Sequence, residues 1–257
     1  MPLRLSIITP CLNAENTIRD TINSVLNQDF ADMEYIVIDG GSTDKTLDIL
    51  KEYSQAIDIL VSEPDQGISD AFNKGITLAS GDYIAVINAD DYYEPDAFRA
   101  ILETATQHKQ PDVIHGSLRY IPYVGQSYLE HPNIHRIWDY MSLFHPTMFI
   151  HRKAYDAIGL YRLDYSYAMD SEWVHRALAS DLTFIQSHSV ISNMRLGGAS
   201  HKYMLRSLLE FRHSAVTHGA NKLSTSYYFV RQLIIQTLIN VNWIKLMLVQ
   251  RKRTKSP

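Results

Sequence analysis

A single cysteine, Cys11, stands in 257 residues. One thiol builds neither a disulfide framework nor a thiolate zinc site, and we expect a chain suited to a reducing cytoplasm. Basic residues are not in surplus: 24 Lys and Arg face 28 Asp and Glu, a net charge of −4. That excludes a broad cationic surface for nucleic acid. No run of about 18 uninterrupted apolar residues occurs, so no membrane-spanning helix is expected. The most apolar segment, Ser226–Gln250, is broken by Arg231, Gln232, Gln236, Asn240 and Lys245. Met1–Thr9 is too short and too strand-like for a secretory signal. The glycine patterns of dinucleotide-binding and P-loop proteins are missing as well, which weakens both readings. Internal repeats and low-complexity linkers are not seen.

What is present suits an ordinary globular core: 46% apolar and 20% charged residues. Short apolar β-branched runs alternate with segments of helical spacing through the first half. Leu3–Thr9, Tyr35–Asp39, Ile57–Ser62 and Tyr83–Asn88 read as strands. Thr17–Gln28, Lys45–Tyr53 and Ile68–Ala79 read as helices between them. Such alternation predicts an open α/β fold with a mostly parallel, Rossmann-like central sheet flanked by helices. After Pro111 the pattern loosens. Asp112–Gly116 and Leu118–Val124 read as two strands of a hairpin or edge pair, and Thr147–His151 as another strand. Lys153–Ile158 and Ser171–Ser180 read as helices, and Thr183–Gln186 and Val190–Asn193 as closing strands. Tyr203–His218 and Ser226–Gln250 are helical. We therefore expect one domain over residues 1–200, split near 110 into two halves, and a helical extension over 201–257.

Ligands in open α/β sheets bind at the carboxyl ends of the strands. Those ends are polar here. The first strand runs into Thr9, Pro10, Asn13 and Glu15; the second ends at Asp39 before Gly40-Gly41; the third leads to Asp65 and Gly67; the fourth ends in Asn88-Ala89-Asp90-Asp91. Clustered carboxylates persist where a cation compensates them, and a hard divalent ion takes one or two carboxylates with phosphate oxygens and water. The bland alternative for Asp90 and Asp91 is a cap on a helix starting near Pro95. The three other polar strand ends favour a metal site. For Asp39, turn chemistry and ligand binding stand level, because Ser42, Thr43 and Asp44 are themselves good helix caps.

Four segments resemble the family 2 glycosyltransferases, inverting enzymes of the GT-A fold. They are Ser6-Ile-Ile-Thr-Pro-Cys-Leu-Asn-Ala-Glu-Asn, Ile36-Val-Ile-Asp-Gly-Gly-Ser-Thr-Asp, Glu63-Pro-Asp-Gln-Gly-Ile-Ser-Asp-Ala-Phe-Asn-Lys-Gly and Gly81-Asp-Tyr-Ile-Ala-Val-Ile-Asn-Ala-Asp-Asp. The later half looks most like transferases building bacterial surface polysaccharides. The resemblance implies a nucleoside-diphosphate sugar donor, a uridine base, a glycan or lipid-linked acceptor and a manganese or magnesium ion. It implies that Thr9, Pro10, Asn13 and Glu15 line the nucleotide pocket and that Asp39 bonds the base. Asp65, Gly67, Asp70 and Asn73 would wrap the ribose and diphosphate. Asn88, Ala89 and Asp90 would lie along the donor, with Asp90 and Asp91 on the metal; Asn88 stands where the family's element often has an acid. Asp170 would be the catalytic base, with Glu172 as alternative, and the same Asp170 also reads locally as a helix cap. His145-Pro146 matches family text, and the loop Gly197-Gly198-Ala199-Ser200-His201 would close over the diphosphate or act as a plain turn.

Gln232, Gln236 and Asn240 form a polar stripe on the last helix, leaving a wide apolar face that ends in Arg251, Lys252, Arg253 and Lys255. Two placements fit. It lies on an anionic membrane surface at the inner face of the cell membrane, or it packs on the domain or on a second copy in a homodimer. Two other functions compete with the transferase. A nucleotidyltransferase would want a glycine- and lysine-rich loop after the first strand, which Asn13-Ala14-Glu15 does not supply. A non-catalytic nucleotide-sugar binder would lack an Asp90 or an Asp170.

Overall fold

The structure, a computed structural model, describes residues 3–122, 124–197, 203–235 and 237. Its first half is a four-stranded parallel layer: β1 (Leu5–Cys11), β2 (Met33–Asp39), β3 (Ile59–Ser62) and β4 (Tyr83–Val86), with β1 between β2 and β4. Period-two alternation gives both faces apolar side chains. Leu5, Ile7, Tyr35 and Val37 pack on one face with Ile18, Ile22 and Val25 of α1 (Ile18–Leu26). Ile8, Ile36 and Ile38 pack on the other with Phe72 and Ile76 of α3 (Ile68–Leu78). Gly75 lets α3 approach this closely, since a Cβ there would collide with the Ile8 side chain. The helix α2 (Thr46–Glu52) completes the crossover between β2 and β3.

The second half turns the sheet mixed. Next come β5 (Tyr92–Tyr93), α4 (Ala97–Gln107), β6 (Val113–Ile121), β7 (Tyr128–Glu130), β8 (Phe149–His151), α5 (Arg152–Ile158), α6 (Met169–Leu178), β9 (Phe184–Arg195) and α7 (Met204–Thr217). Residues 222–235 are also helical. The sheet order is β3-β2-β1-β4-β8-β6-β9-β5, with β7 beside β6. The β8 strand runs antiparallel to both β4 and β6, β9 is parallel to β6, and β5 is antiparallel to β9.

Three expectations are corrected here. The pair of strands expected at 112–116 and 118–124 is one strand, β6, and its hairpin partner is β7. Gly116 does not break it; a Cβ there would meet Ser189 O at 2.9 Å and the Ile191 side chain, so glycine permits β9 to approach. The two closing strands are likewise one, β9, whose register against β6 shifts near Gly116. Finally α6 starts at Met169 rather than Ser171, with Ala168 as its N-cap.

The end of the described chain packs on the domain. Glu210 of α7 accepts three backbone N–H groups, from Ser166, Tyr167 and Ala168, at 3.0, 2.8 and 3.1 Å. His175 Nδ1 and Ser214 Oγ lie 2.9 Å apart in the buried α6–α7 seam. Among the described residues no helix is long and apolar enough to cross a membrane. Most of the segment Ser226–Gln250 beyond 235 lies outside the described residues.

Candidate active site

Strand β1 has β2 and then β3 on one side and β4 on the other, so the chain reverses its direction of winding there. Crevices form at the carboxyl ends of such strands. Past β4, Ile87 N–H still bonds Ile8 O at 2.9 Å, and Asp91 N–H closes a turn on Asn88 O at 3.0 Å. The turn is pinned from two sides. Thr21 of α1 donates to Asp91 O at 2.6 Å. Arg195, at the end of β9, donates its N–H to Asp91 Oδ1 at 3.0 Å and a guanidinium N–H to Asp90 O at 2.6 Å. The same guanidinium pairs with Asp20 at 2.6 Å and lies 5.0 Å from the Tyr92 ring centroid. Neither acid caps α4, whose N-cap is Asp96. The capping alternative is therefore discarded.

What remains is two adjacent carboxylates short of compensation. Burial raises the Asp90 carboxyl above the ordinary range, against the pull of Arg195. Burial raises Asp91 still further, and the Asp90 charge adds to it. A cation is the natural complement of such a pair. Asn88 Oδ1 beside them is buried without a hydrogen-bond partner, an orphan that suits a site completed by a ligand. An all-oxygen set of Asn88, Asp90 and Asp91 matches hard magnesium or manganese rather than zinc. Among the described residues no group of three or more His, Cys, Asp and Glu side chains gathers as a metal cluster. Phosphate oxygens and water would supply the remaining ligands.

Asp170 reaches the same space from α6. Its Oδ1 accepts the Ser171 N–H at 2.7 Å, in the first helical turn. Burial is the largest influence and raises its pKa, with the Ser171 hydrogen bonds opposing. A raised carboxyl pKa in a cleft is the setting of a general base. One cavity of about 460 Å³ is lined by Asn88, Asp90, Asp91, Asp170 and Gly197 together with His145 and Pro146. Tyr120 of β6 also lines it, and its hydroxyl feels both Asp91 and Asp170. Burial depresses the His145 pKa to about 4, so this imidazole is neutral near pH 7, and its Nε2 has no hydrogen-bond partner.

The other expected residues sit elsewhere. Thr9 and Pro10 are buried in β1, with Thr9 Oγ1 3.0 Å from Tyr35 OH. Asp39 is fully buried; it accepts from Ser42 Oγ, from Ser62 Oγ at 2.7 Å and from the Gly41 N–H at 3.3 Å. Its observed part is to hold the Gly40–Ser42 turn. Asn13 and Glu15 stitch the neighbouring loop, accepting the N–H groups of Thr43 and Lys45 at 2.8 and 3.0 Å. The Asp65 carboxylate lies against Gly40 and accepts the Gly67 N–H at 2.9 Å. Asp70 takes the Gln66 N–H at 3.0 Å and pairs with Lys74 at 3.3 Å. Asn73 clamps the backbone of Tyr161 with both ends of its amide, at 2.8 and 3.0 Å. Ala89 is buried in the turn between Asn88 and Asp90. Glu172 is fully buried, pairs with Arg176 at 3.0 Å and does not line the cavity. Gly198 and His201 lie outside the described residues.

Sequence reasoning missed Arg195, which no local motif marks, and the wall contributed by α7 and residues 222–235. Phe211, Arg212, Tyr228, Phe229 and Gln232 all line the cavity. Their helical periodicity signalled an inward face without saying what it faced.

Comparisons with known proteins bear on the family and the fold. The family model described as Glycosyl transferase family 2 matches residues 6–168. A PGL/p-HBAD biosynthesis glycosyltransferase of Mycobacterium tuberculosis (strain ATCC 25177 / H37Ra) is 28% identical over 213 residues, covering 80% of this chain and 82% of that one. A teichuronic acid biosynthesis glycosyltransferase of Bacillus subtilis, TuaG, is 38% identical over 102 residues, 38% of this chain and 40% of that one. In fold, the chain is similar to S. aureus TarS residues 1–349 in complex with UDP. The TM-score is 0.66 at 18% identity, over 90% of this chain and 71% of that one. It is also similar to the mannosyltransferase PcManGT from Pyrobaculum calidifontis, in complex with GDP-Man and Mn2+, with TM-score 0.64 and 16% identity over 99% and 83% of the two chains.

Proposed function

The chain belongs to glycosyl transferase family 2, and from that premise we propose that it moves a sugar, with inversion, from a uridine diphosphate to an acceptor hydroxyl in the assembly of a bacterial envelope glycan. The observation that carries this reading is the meeting of three acids, Asp90, Asp91 and Asp170, in one cavity. They come from the turn after β4 and the start of α6, 80 positions apart at the widest. The Asp170 carboxylate removes the proton of the acceptor hydroxyl as that oxygen attacks the anomeric carbon. The sugar–phosphate bond breaks on the opposite side, and the electron pair leaves on the diphosphate. No protein nucleophile is required, and a single displacement inverts the anomeric centre. Asn88, Asp90 and Asp91 would hold the divalent ion, and a bound magnesium or manganese would supply Lewis-acid stabilisation to the leaving diphosphate. Arg195 fixes the Asp90–Asp91 turn so that these carboxylates need no rearrangement.

Hydrolysis and transfer assays over a panel of nucleoside-diphosphate sugars with manganese test the reading. Release of one nucleoside diphosphate, dependent on the ion, is expected. Inertness toward the whole panel, with no thermal stabilisation by any nucleoside diphosphate, refutes it. The lipid-surface contact expected from the sequence belongs to the same proposal. It rests on Leu223, Tyr227, Val230 and Ile234, a stripe of helical spacing that the described chain leaves exposed. Co-sedimentation with anionic liposomes is expected for the full chain and not for a Leu223→Ser, Tyr227→Ser, Val230→Ser variant. Equal partitioning of the two ends that idea.

A further inference from the structure

Among the described residues two guanidinium groups line the cavity. Arg195 is engaged by Asp20 and by the Asp90–Asp91 turn. Arg212 is not matched in that way. It sits half-buried on α7, and its Nε and Nη2 donate to one neutral oxygen, Ser226 Oγ, at 3.2 and 2.8 Å. Every Asp and Glu of the sequence falls among the described residues, and none of them pairs with Arg212. Asp139, which lines the same cavity, is held by Arg136 at 3.3 Å.

Tethering one helix to the next does not account for a cation. A hydroxyl oxygen accepts as readily from a neutral amide. A charge taken partly out of water costs stability unless a counter-charge answers it. The guanidinium is a planar fork of N–H donors that matches the two oxygens of a carboxylate. Ser207, Tyr228 and Gln232 add neutral hydroxyl and amide groups to the same wall, the kind of group that meets a saccharide's hydroxyls. Arg195 is the cation that acts on Asp90 and Asp91. Arg212 enters from α7, which brings no acid to the cavity. One guanidinium balances one negative charge, as on a carboxylate, and not the nearly double charge of a phosphate monoester.

We propose that Arg212 sets acceptor specificity by binding a carboxylate on the acceptor saccharide, so that the preferred acceptor is an acidic sugar. The proposal rests on the cavity being the transfer site. There the ion at Asp90 answers the donor diphosphate, and the Arg212 fork serves the second substrate, whose hydroxyl is presented to Asp170.

The test compares methyl β-D-glucuronide with methyl β-D-glucoside as binding probes of the full chain; the two differ only in the carboxylate. Ligand-observed NMR gives both affinities without any need for turnover. A partly exposed guanidinium–carboxylate pair strengthens binding about fivefold, so the glucuronide should bind more tightly by about that factor. Arg212→Gln, which can keep a bond to Ser226, should bring the two probes level. Arg212→Met, which keeps the packing of the stem, repeats the test should Arg212→Gln not fold. Arg231→Gln removes an exposed cation that does not line the cavity and should leave the preference intact. Equal affinity of the two probes for the wild type overturns the proposal, as does a preference that survives both Arg212 variants or is lost in Arg231→Gln. Binding of D-glucose 6-phosphate more tightly than the glucuronide overturns the carboxylate assignment. UDP binding with manganese is measured on the same samples, and Arg212→Gln should leave it within about twofold. A larger loss assigns the fork to the donor diphosphate and overturns the proposal. Absence of UDP binding by the wild type refutes the transferase mechanism, while the glucuronide comparison still decides whether Arg212 holds a carboxylate.

Discussion

Replacing Asp170 by Asn removes one proton acceptor and little else. The Asp170 Oδ1 accepts the Ser171 N–H at 2.7 Å, and an amide oxygen can take over that bond within the first turn of α6. The side chain is half-buried, and its partial removal from water raises the carboxyl pKa. The sign of the stability effect follows. A raised acid in the folded state contributes stability fully present below the unfolded pKa and lost as pH rises through the folded value. At neutral pH the ionised Asp170 is therefore a cost to folding that Asn does not carry, so the variant should melt at the same temperature or higher. A positioned general base is worth about a hundred- to ten-thousand-fold in rate, or about 3–5 kcal/mol of barrier. Asp170→Asn should lose that much in kcat while calorimetric affinity for the nucleoside diphosphate stays within about twofold. The wild-type acid limb of kcat/KM should lie above the usual aspartate range of about 3.9 and vanish in the variant. Turnover within tenfold of wild type, or an unchanged acid limb, refutes the base assignment.

Asp90→Ala should abolish the manganese-dependent part of UDP binding in calorimetry; equal affinity with and without the ion in the wild type would remove the metal from the account. Glu172→Gln should keep transfer near wild type while losing about 1–3 kcal/mol of stability in urea unfolding, because it weakens a fully buried partner of Arg176; a variant as stable as wild type but inactive would move the base from Asp170 to Glu172. Trp173→Ala should cost about 3–5 kcal/mol, since the indole is fully buried and donates to Gly159 O at 3.0 Å; a loss under 1 kcal/mol in the same experiment would show that α6 is not anchored as described.

The first half of the fold was legible because its signals are local. Each of β1 to β4 is a short apolar run ending in a polar turn, and each helix between them carries its own 3.6-residue stripe. The second half was less legible because its devices are long-range. Gly116 reads as a breaker within a six-residue window, and only Ile191 and Ser189 across the sheet show that it permits close packing. In the site, the motif resemblance points to Asp90 and Asp170, and both line the cavity. Asn73, which the same resemblance puts beside the ribose, clamps the backbone of Tyr161, 88 positions away. Asp39 reads equally as a turn residue and as a ligand carboxylate from its strand end, and only the fold shows the hydrogen bonds from Ser42 and Ser62. Hydrogen bonds formed between distant segments leave no periodicity to read. For the same reason the cavity wall of α7 and residues 222–235 announced itself only as amphipathic helix.

The account stands on one cavity holding both the diphosphate and the proton acceptor. The most direct measurement is a crystal structure of the chain with UDP and manganese, the ion located by anomalous scattering. The account predicts the manganese peak on the Asp90 carboxylate, with the diphosphate in the space between it and Asp170. A peak on other side chains, or UDP bound away from that space, would contradict it.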